Sequence, residues 1–309
     1  MTGAPNTSGP ETVSGRGESA QFVDLQVHST ASDGALSPAK VVEAARDAKL
    51  QAIALTDHDT VDGLPEAIAA GAEVGVRIIA GVELSSHFDD DELHLLGLHL
   101  SNQDAMRSAL LELQAGRVER AIRIVDVLNR HSIPITMESV LAEADKGAVG
   151  RPHIARAMVA GGWVRDFRDA FDRWIGFGRP AYMAKERFDV ADAIALVHQA
   201  GGLAVWAHPG DSATPTRIQR LADMGLDSVE VLHPSHPPSL SQRLFDNTEK
   251  AGLLPSGGSD WHGTHDGPRR LGGQLVPKIW LDWQEARVAE RAAERVAERA
   301  AERAAVRTA

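Results

Sequence analysis

Residues 52–84 read AIALTDHDTVDGLPEAIAAGAEVGVRIIAGVEL. The segment opens on a short apolar run at 52–58 and breaks at a polar turn. It continues as a helix from Pro65 to Gly75 and closes on a second apolar run, RIIAGVEL, at 77–84. Two apolar runs joined by a helix-forming stretch make a parallel strand–helix–strand unit. Both runs end on acids or imidazoles: Asp57, His58 and Asp59 close the first, and Glu83 closes the second.

The same unit recurs outward in both directions. FVDLQVH at 22–28 is a strand ending on His28, with Asp33 in the loop after it. Ser37-Pro38 then opens a helix through VVEAARDA, with Ser as N-cap and Pro at the first helical position. ELHLLGLHL at 92–100 is a strand carrying His94. Further on, LAVWAH at 203–208 ends on His208, SVEVLH at 228–233 follows, and LLPSGGSD at 253–260 ends on Asp260 with His262 just beyond. Strands at this spacing predict an α/β chain folded as parallel βα units in a closed or nearly closed barrel.

The rhythm stops at 101, and from 103 to about 190 no strand is expected. Leu110, Leu111, Val118, Ile122 and Val125 fall at helical spacing within 105–130, with Ser101 as the expected N-cap and Asp104 three residues on. Shorter helices are expected at 137–145, 152–161 and 166–175. Asp189 caps a helix at 190–199 that Gly201-Gly202 ends. The expected organisation is a disordered leader at 1–20, a barrel built from 21–101 and 191–283, an all-helical insertion at 102–190 and an Ala/Glu/Arg-rich tail at 284–309. The tail reads as a solvated helix or a frayed end, with i,i+3 pairs Arg287/Glu290, Arg291/Glu294 and Arg295/Glu298.

Composition narrows the chemistry. The chain has 309 residues, 43% of them hydrophobic, as in ordinary soluble globular proteins. With 32 Lys+Arg against 43 Asp+Glu the net charge is −11, which disfavours broad capture of duplex nucleic acid or an anionic membrane. No cysteine is present, so disulfides, thiolate zinc sites, iron–sulfur clusters and cysteine nucleophiles are excluded. No apolar run approaches the roughly 20 residues of a membrane span. The N-terminus lacks a signal-peptide pattern, so a cytoplasmic location is expected. No obligate protein partner is evident.

In a βα barrel the C-terminal strand ends share one face. His28, Asp33, His58, Glu83, His94, His208, Asp260 and His262 would meet there, and without cations such a group would repel or desolvate itself. Divalent metals are the natural partner. His99 alternates away from His94 and is placed outside the site. His233 can face it, and His87, His131, His198 and His265 are read as structural.

DLQVHSTASDG, ALTDHDT, AGVELS, HLLG, AVWAHPG and GGSDWHG occur in the order seen in the PHP (polymerase and histidinol phosphatase) family, which this chain resembles over roughly 21–270. The surrounding sequence is similar to the family's small metal-dependent phosphoesterase branch, which includes 3′,5′-nucleoside bisphosphate phosphatases and 5′–3′ exoribonucleases acting on short RNA. The resemblance implies a distorted seven-stranded βα barrel and a trinuclear metal centre. Carried over residue by residue, His28, Glu83 and Asp260 would hold one metal. Glu83 would be shared with a second, completed by His94 and His208. Asp33, His58 and His262 would hold a third. Glu83, Asp260 and His208 are the expected catalytic core, with Mn²⁺ as the first expectation for the ion and Zn²⁺ or Fe²⁺ as alternatives.

One position departs from the pattern. The family begins with His-x-His, whereas this chain has Gln26-Val27-His28. A neutral amide is a weaker transition-metal ligand than imidazole, so two or three metals per chain are expected and the first site should fill last. In the insertion, Arg151 and His153 of GRPHIAR and Arg179 of GRPAY match branch motifs linked to substrate binding. Arg suits that role because its planar fork pairs with phosphate oxygens. Arg117, Arg120 and Arg123 are spaced by three on the long helix and read as a solvated face.

The expected activity is hydrolysis of a phosphomonoester or terminal phosphodiester of a nucleotide, with Asp59 and His233 as candidate general acids. A phosphatase for another small phosphomonoester, of the sugar or histidinol-phosphate type, is the rival enzyme. A catalytically impaired metal- or nucleotide-binding module is the non-enzyme alternative, motivated by Gln26.

Overall fold

Strand β1 (Phe22–Val27) leads into helix α1 (Pro38–Asp47), whose N-cap Ser37 accepts the amide of Lys40 at 3.4 Å. Strand β2 (Ala52–Leu55), helix α2 (Leu64–Val74) and strand β3 (Arg77–Phe88) complete the first crossover. The computed structural model describes residues 21–144, 149–184, 188–263 and 269–308. The expected leader at 1–20 and His265 lie outside the described residues. After β4 (Asp91–Leu98) come α3 (Gln103–Arg130), α4 (Met137–Ala144), α5 (Arg151–Ala160), α6 (Phe167–Ala170) and a π-helical turn at Phe171–Ile175. The chain returns through α7 (Val190–Gln199), β5 (Leu203–Trp206), α8 (Pro215–Asp223), β6 (Ser228–Leu232), α9 (Pro238–Lys250) and β7 (Leu254–Gly257). It ends with β8 (Val276–Pro277) and α10 (Lys278–Thr308). Among the described residues no helix is long and apolar enough to cross a membrane.

The strands form one sheet in the order β7-β6-β5-β4-β3-β2-β1-β8. Just past β7 the chain returns to β1. The Asp260 amide donates to Gln26 O at 3.0 Å, and the His28 amide donates to Trp261 O at 2.9 Å. Gly258 makes this closure possible, because a Cβ there would sit 2.5 Å from Gln26 Cβ. Seven strands thus form the nearly closed barrel, and β8 is an eighth that pairs antiparallel with β1. At two residues β8 is too short to carry a periodic signal.

The expectation that all strands run parallel fails at β4. β4 pairs antiparallel with both β3 and β5. Only Asp89 and Asp90 separate β3 from β4, with Phe88 opposite Asp91. A two-residue link makes a hairpin, whereas a parallel return needs a crossover of a dozen residues or more. The reversal sets His94 opposite Ser85, two residues past Glu83, at the barrel mouth.

The barrel core is packed by residues such as Leu25, Ile53, Leu55, Leu84, Leu95 and Val205. Helices α3 to α6 and the π-helical turn contribute a separate core, including Ile124, Leu128, Ile154, Met158 and Ile175. The N-cap of α3 is Asn102 rather than the expected Ser101; its side chain accepts the Ala105 amide at 3.1 Å. In α10, Trp280, Leu281 and Gln284 are buried against the barrel. Arg287 pairs with Glu290 at 3.4 Å, but Arg291 and Arg295 turn inward, to Asp227 at 2.6 Å and His198 O at 2.9 Å. The first half of α10 is therefore docked, where a solvated helix was expected.

Asp24, 1% exposed, ties the closing edge together. Oδ1 accepts the Ser259 amide and Oδ2 the Gly272 amide, both at 2.8 Å. Asp24→Ala leaves both amides without these acceptors and should lower unfolding stability by about 2–3 kcal/mol. Asp24→Asn, whose carbonyl can still serve one amide, should lose less. Chemical denaturation midpoints measure both, and equal losses would show that packing rather than hydrogen bonding dominates there.

Candidate metal centre

The barrel mouth collects the chemistry. Asp59, His208 and Asp260 follow β2, β5 and β7 and adopt left-handed backbone angles, with φ of 48°, 31° and 51°. Such conformations cost roughly 1–3 kcal/mol at non-glycine positions and cluster at functional sites.

Glu83 lies at the centre and is fully buried. Its Oε1 is 2.7 Å from His94 Nδ1 and 3.0 Å from His208 Nε2. Its Oε2 is 3.1 Å from His28 Nε2 and 3.8 Å from His58 Nδ1, and it accepts a hydrogen bond from Gln26 Nε2 at 3.0 Å. Asp260 Oδ1 lies 3.1 Å from His28 Nε2 and 3.8 Å from His262 Nδ1. Asp33 approaches His262 Nε2 at 3.3 Å and His58 Nε2 at 4.0 Å. The His28 ring stacks on His262 and His58, with centroids 4.3 and 4.7 Å apart. All eight expected ligands are thereby gathered at one mouth.

Burial opposes ionisation of Glu83, yet the surrounding imidazoles hold its carboxyl well below the usual range. Asp33 and Asp260 are likewise held low against burial by neighbouring histidines. Burial also pushes His58 down to about 3, leaving a neutral imidazole with a lone pair to give. For His28, burial pulls the pKa down, but Asp260 and Glu83 raise it well above the ordinary value. The site therefore draws a positive charge into a fully buried place. Neither ring nitrogen of His28 makes a hydrogen bond of acceptable geometry among the described residues, despite the 3.1 Å approaches. Three donor sets converge within 4.8 Å: His28, Asp33, His58 and His262; His58, Glu83 and His94; and His28, Glu83 and Asp260. Mixed imidazole and carboxylate donors gathered this closely fit divalent cations.

Neighbouring carboxylates position this set. Asp57, buried, accepts Ser29 N, Ser29 Oγ and Ser32 Oγ, each at 2.7 Å, and pins the loop that carries Asp33. Glu230, fully buried on β6, accepts the His208 amide at 2.6 Å. The sequence reading missed Glu230, although an acid inside the apolar run SVEVL was its signal. His233, 4% exposed, lies 3.5 Å from Asp260 Oδ2, and Arg269 reaches the same oxygen at 2.6 Å. His99 instead meets Gln284 at 3.2 Å, outside the mouth.

A cavity of about 290 Å³ opens beside the cluster. Asp33, His58 and His94 line it together with Arg117, Arg120, Arg151 and His153. Arg117 and Arg120, expected on a solvated face, instead point inward; Arg123 alone of the three is exposed. Burial, with the like charge of Arg120, pushes Arg117 down to about 10. Burial, with Arg151, does the same for Arg120. Arg117 is clamped by Asp59 and reaches Ser85 Oγ at 3.2 Å. The N-terminus of α5 joins the wall, where amides and helix dipole favour an anion. The Gly150 amide donates to His153 Nδ1 at 3.0 Å, which assigns the proton of the neutral ring to Nε2. Burial holds that ring neutral, down to about 4. Arg179 is exposed on the turn after Ile175 and does not line the cavity.

A family model described as PHP domain matches residues 24–179. A 5′–3′ exoribonuclease of Haemophilus influenzae is 37% identical over 77% of this chain and 89% of its own length. A 3′,5′-nucleoside bisphosphate phosphatase of Chromobacterium violaceum is 34% identical over 81% of this chain and 90% of its own. The crystal structure of a protein from Bifidobacterium adolescentis, described as a metal-dependent phosphoesterase, superimposes with a TM-score of 0.77. It is 34% identical and covers 87% of this chain and 97% of its own.

Proposed function

This chain belongs to the PHP domain family, and from that membership we propose that it is a metal-dependent phosphoesterase acting on a nucleotide, either a 3′,5′-nucleoside bisphosphate or a 5′-phosphorylated short RNA. The observation that carries the reading is one cavity lined both by Asp33, His58 and His94 of the donor cluster and by three arginines. We assign His28, Glu83 and Asp260 to one cation, Glu83, His94 and His208 to a second, and Asp33, His58 and His262 to a third, with Mn²⁺ as the favoured ion. When bound, the ions supply Lewis acidity at the phosphoryl oxygens and lower the pKa of the attacking water.

The chain's own groups do the rest. Arg117, Arg120 and Arg151 bind the phosphate oxygens, and His153 donates to them from Nε2–H. Asp59 holds the Arg117 guanidinium at the mouth, so it serves as an orienting residue rather than a free acid. Glu83, Asp260 and His208 form the catalytic core, and Glu230 fixes the backbone from which His208 projects.

The test is a panel of nucleoside 3′,5′-bisphosphates, 5′-phosphorylated short RNAs and simple sugar phosphates, assayed with Mn²⁺. Nucleotide substrates should lead in kcat/KM. Preference for a sugar phosphate would move the assignment to a small-phosphomonoester phosphatase, and no turnover of any ester would leave a binding module.

Gln26 refines the metal count. Its Nε2 is spent on Glu83 Oε2, and its Oε1 is buried without a hydrogen bond among the described residues. The cation of His28, Glu83 and Asp260 should therefore bind most weakly. Gln26→His should tighten that site on the order of tenfold. Bound metal per chain, followed during a Mn²⁺ titration of both proteins, reads this directly. Superimposable titrations would mean that position 26 does not control occupancy.

A further inference from the structure

A row of rings leads out of the cavity. Arg151 lines the wall, and its guanidinium lies 5.8 Å from the centroid of Phe171, another lining residue, and 5.5 Å from that of Tyr182. Tyr182 meets Phe177 edge to face at 5.3 Å and 69°. Phe177 is 87% exposed, more than any other large hydrophobic side chain among the described residues.

The backbone presents that ring in a defined way. The Arg179 amide donates to Gly176 O at 3.1 Å, closing a four-residue turn around Phe177 and Gly178. Gly178 sits at φ 70°, as the third position of a type II turn requires. The Gly176 amide donates to Phe171 O at 3.0 Å, and a Cβ at Gly176 would approach that oxygen to 2.4 Å, so the turn lies tight against the π-helical segment. The neighbours of Phe177 in the turn are glycines and the exposed, cationic Arg179.

We propose that Phe177, backed by Tyr182 and Arg151, is a stacking shelf for the nucleobase of the substrate. The inference rests on the nucleotide reading above and deepens it. Arg151 connects the two halves of such a ligand: it faces the cavity assigned to phosphate and packs on the ring that supports Phe177. An aromatic face accepts any base, because every base offers a π-surface, so the shelf recognises the presence of a base rather than its identity. One ring edged by glycine and a cation suits a flat, anionic ligand better than the broad apolar patch of a protein interface.

The experiment compares a nucleoside 3′,5′-bisphosphate with its abasic analogue, 1,2-dideoxyribose 3,5-bisphosphate, in wild type, Phe177→Ala and Phe177→Trp. The readout is the ratio of the two kcat/KM values, with calorimetric binding of both compounds to metal-free protein as a measurement independent of turnover. Phe177→Ala should lower the ratio roughly tenfold, chiefly through KM, and Phe177→Trp should restore it. The same order should appear in the binding constants. A ratio unchanged in Phe177→Ala, with wild type still preferring the base-bearing compound, overturns the shelf and leaves the nucleotide reading standing. A wild type that prefers simple sugar phosphates to both bisphosphates overturns the nucleotide reading, and the shelf with it.

Discussion

Glu83→Gln should lower kcat/KM by about three orders of magnitude, equivalent to roughly 4 kcal/mol of transition-state stabilisation, and should strip bound metal from the protein. The substitution preserves shape, so the loss reports charge and donor polarity. The two carboxylate oxygens face four imidazoles and the Gln26 amide, all within 3.8 Å. A carboxamide can offer only one oxygen to that ring of partners. Its NH₂ group would face either Gln26 Nε2–H or the lone pairs that His94 and His208 should give to a cation. Two of the three assigned cation sites also lose their shared negative charge. Glu83→Asp, which keeps the charge on a shorter arm, should retain part of the metal. Metal content and steady-state turnover measure both variants. Full metal and full turnover in Glu83→Gln would remove the central role assigned to this residue.

The residues that made this prediction possible were legible because strand chemistry is local. His28, His58, Glu83, His208 and Asp260 each stand at or just past the end of an apolar run, and closing those runs into a barrel brings their ends together whatever the details of packing. The direction of β4 was also encoded, in the two residues between β3 and β4, but a reading based on alternating strands and helices passes over a hairpin. The arginines of α3 were harder. Helical spacing shows that Arg117, Arg120 and Arg123 lie near one another, but not which way that face turns. Rotation is set by the separate core of Ile124, Leu128, Ile154 and Met158, which points Arg117 and Arg120 into the cavity and leaves Arg123 outside. The same limit applies to Arg291 and Arg295, whose partners Asp227 and His198 are remote in sequence. Arg179 shows the converse: a motif position says which residue types recur, and the fold decides whether the side chain reaches the cavity.

Arg120 offers the second large effect, and it separates function from stability. Its side chain is 7% exposed, its Nε donates to Met183 O at 2.9 Å, and it makes no ion pair among the described residues. Burial weighs most against its charge; Arg117 and Arg151 add like charge from the cavity wall, and Glu92 of the same lining offsets part of it. A buried guanidinium held among other cations costs the folded state energy, and an anionic ligand recovers that cost when it binds. Arg120→Met keeps the apolar stem that packs in the wall and removes the charge. It should lower kcat/KM for a nucleoside bisphosphate roughly 10²-fold, in the range found when one partner of a desolvated charge pair is truncated. Metal content should stay at the wild-type level, since a guanidinium has no lone pair to give a cation. The melting temperature of the ligand-free protein should change little, because removing a buried charge offsets the loss of the hydrogen bond to Met183 O. Arg120→Lys, with charge but no planar fork, should recover part of the activity. A variant that loses activity and melting temperature together would show Arg120 to be a packing element, and an unchanged kcat/KM would show that the phosphate does not reach this wall.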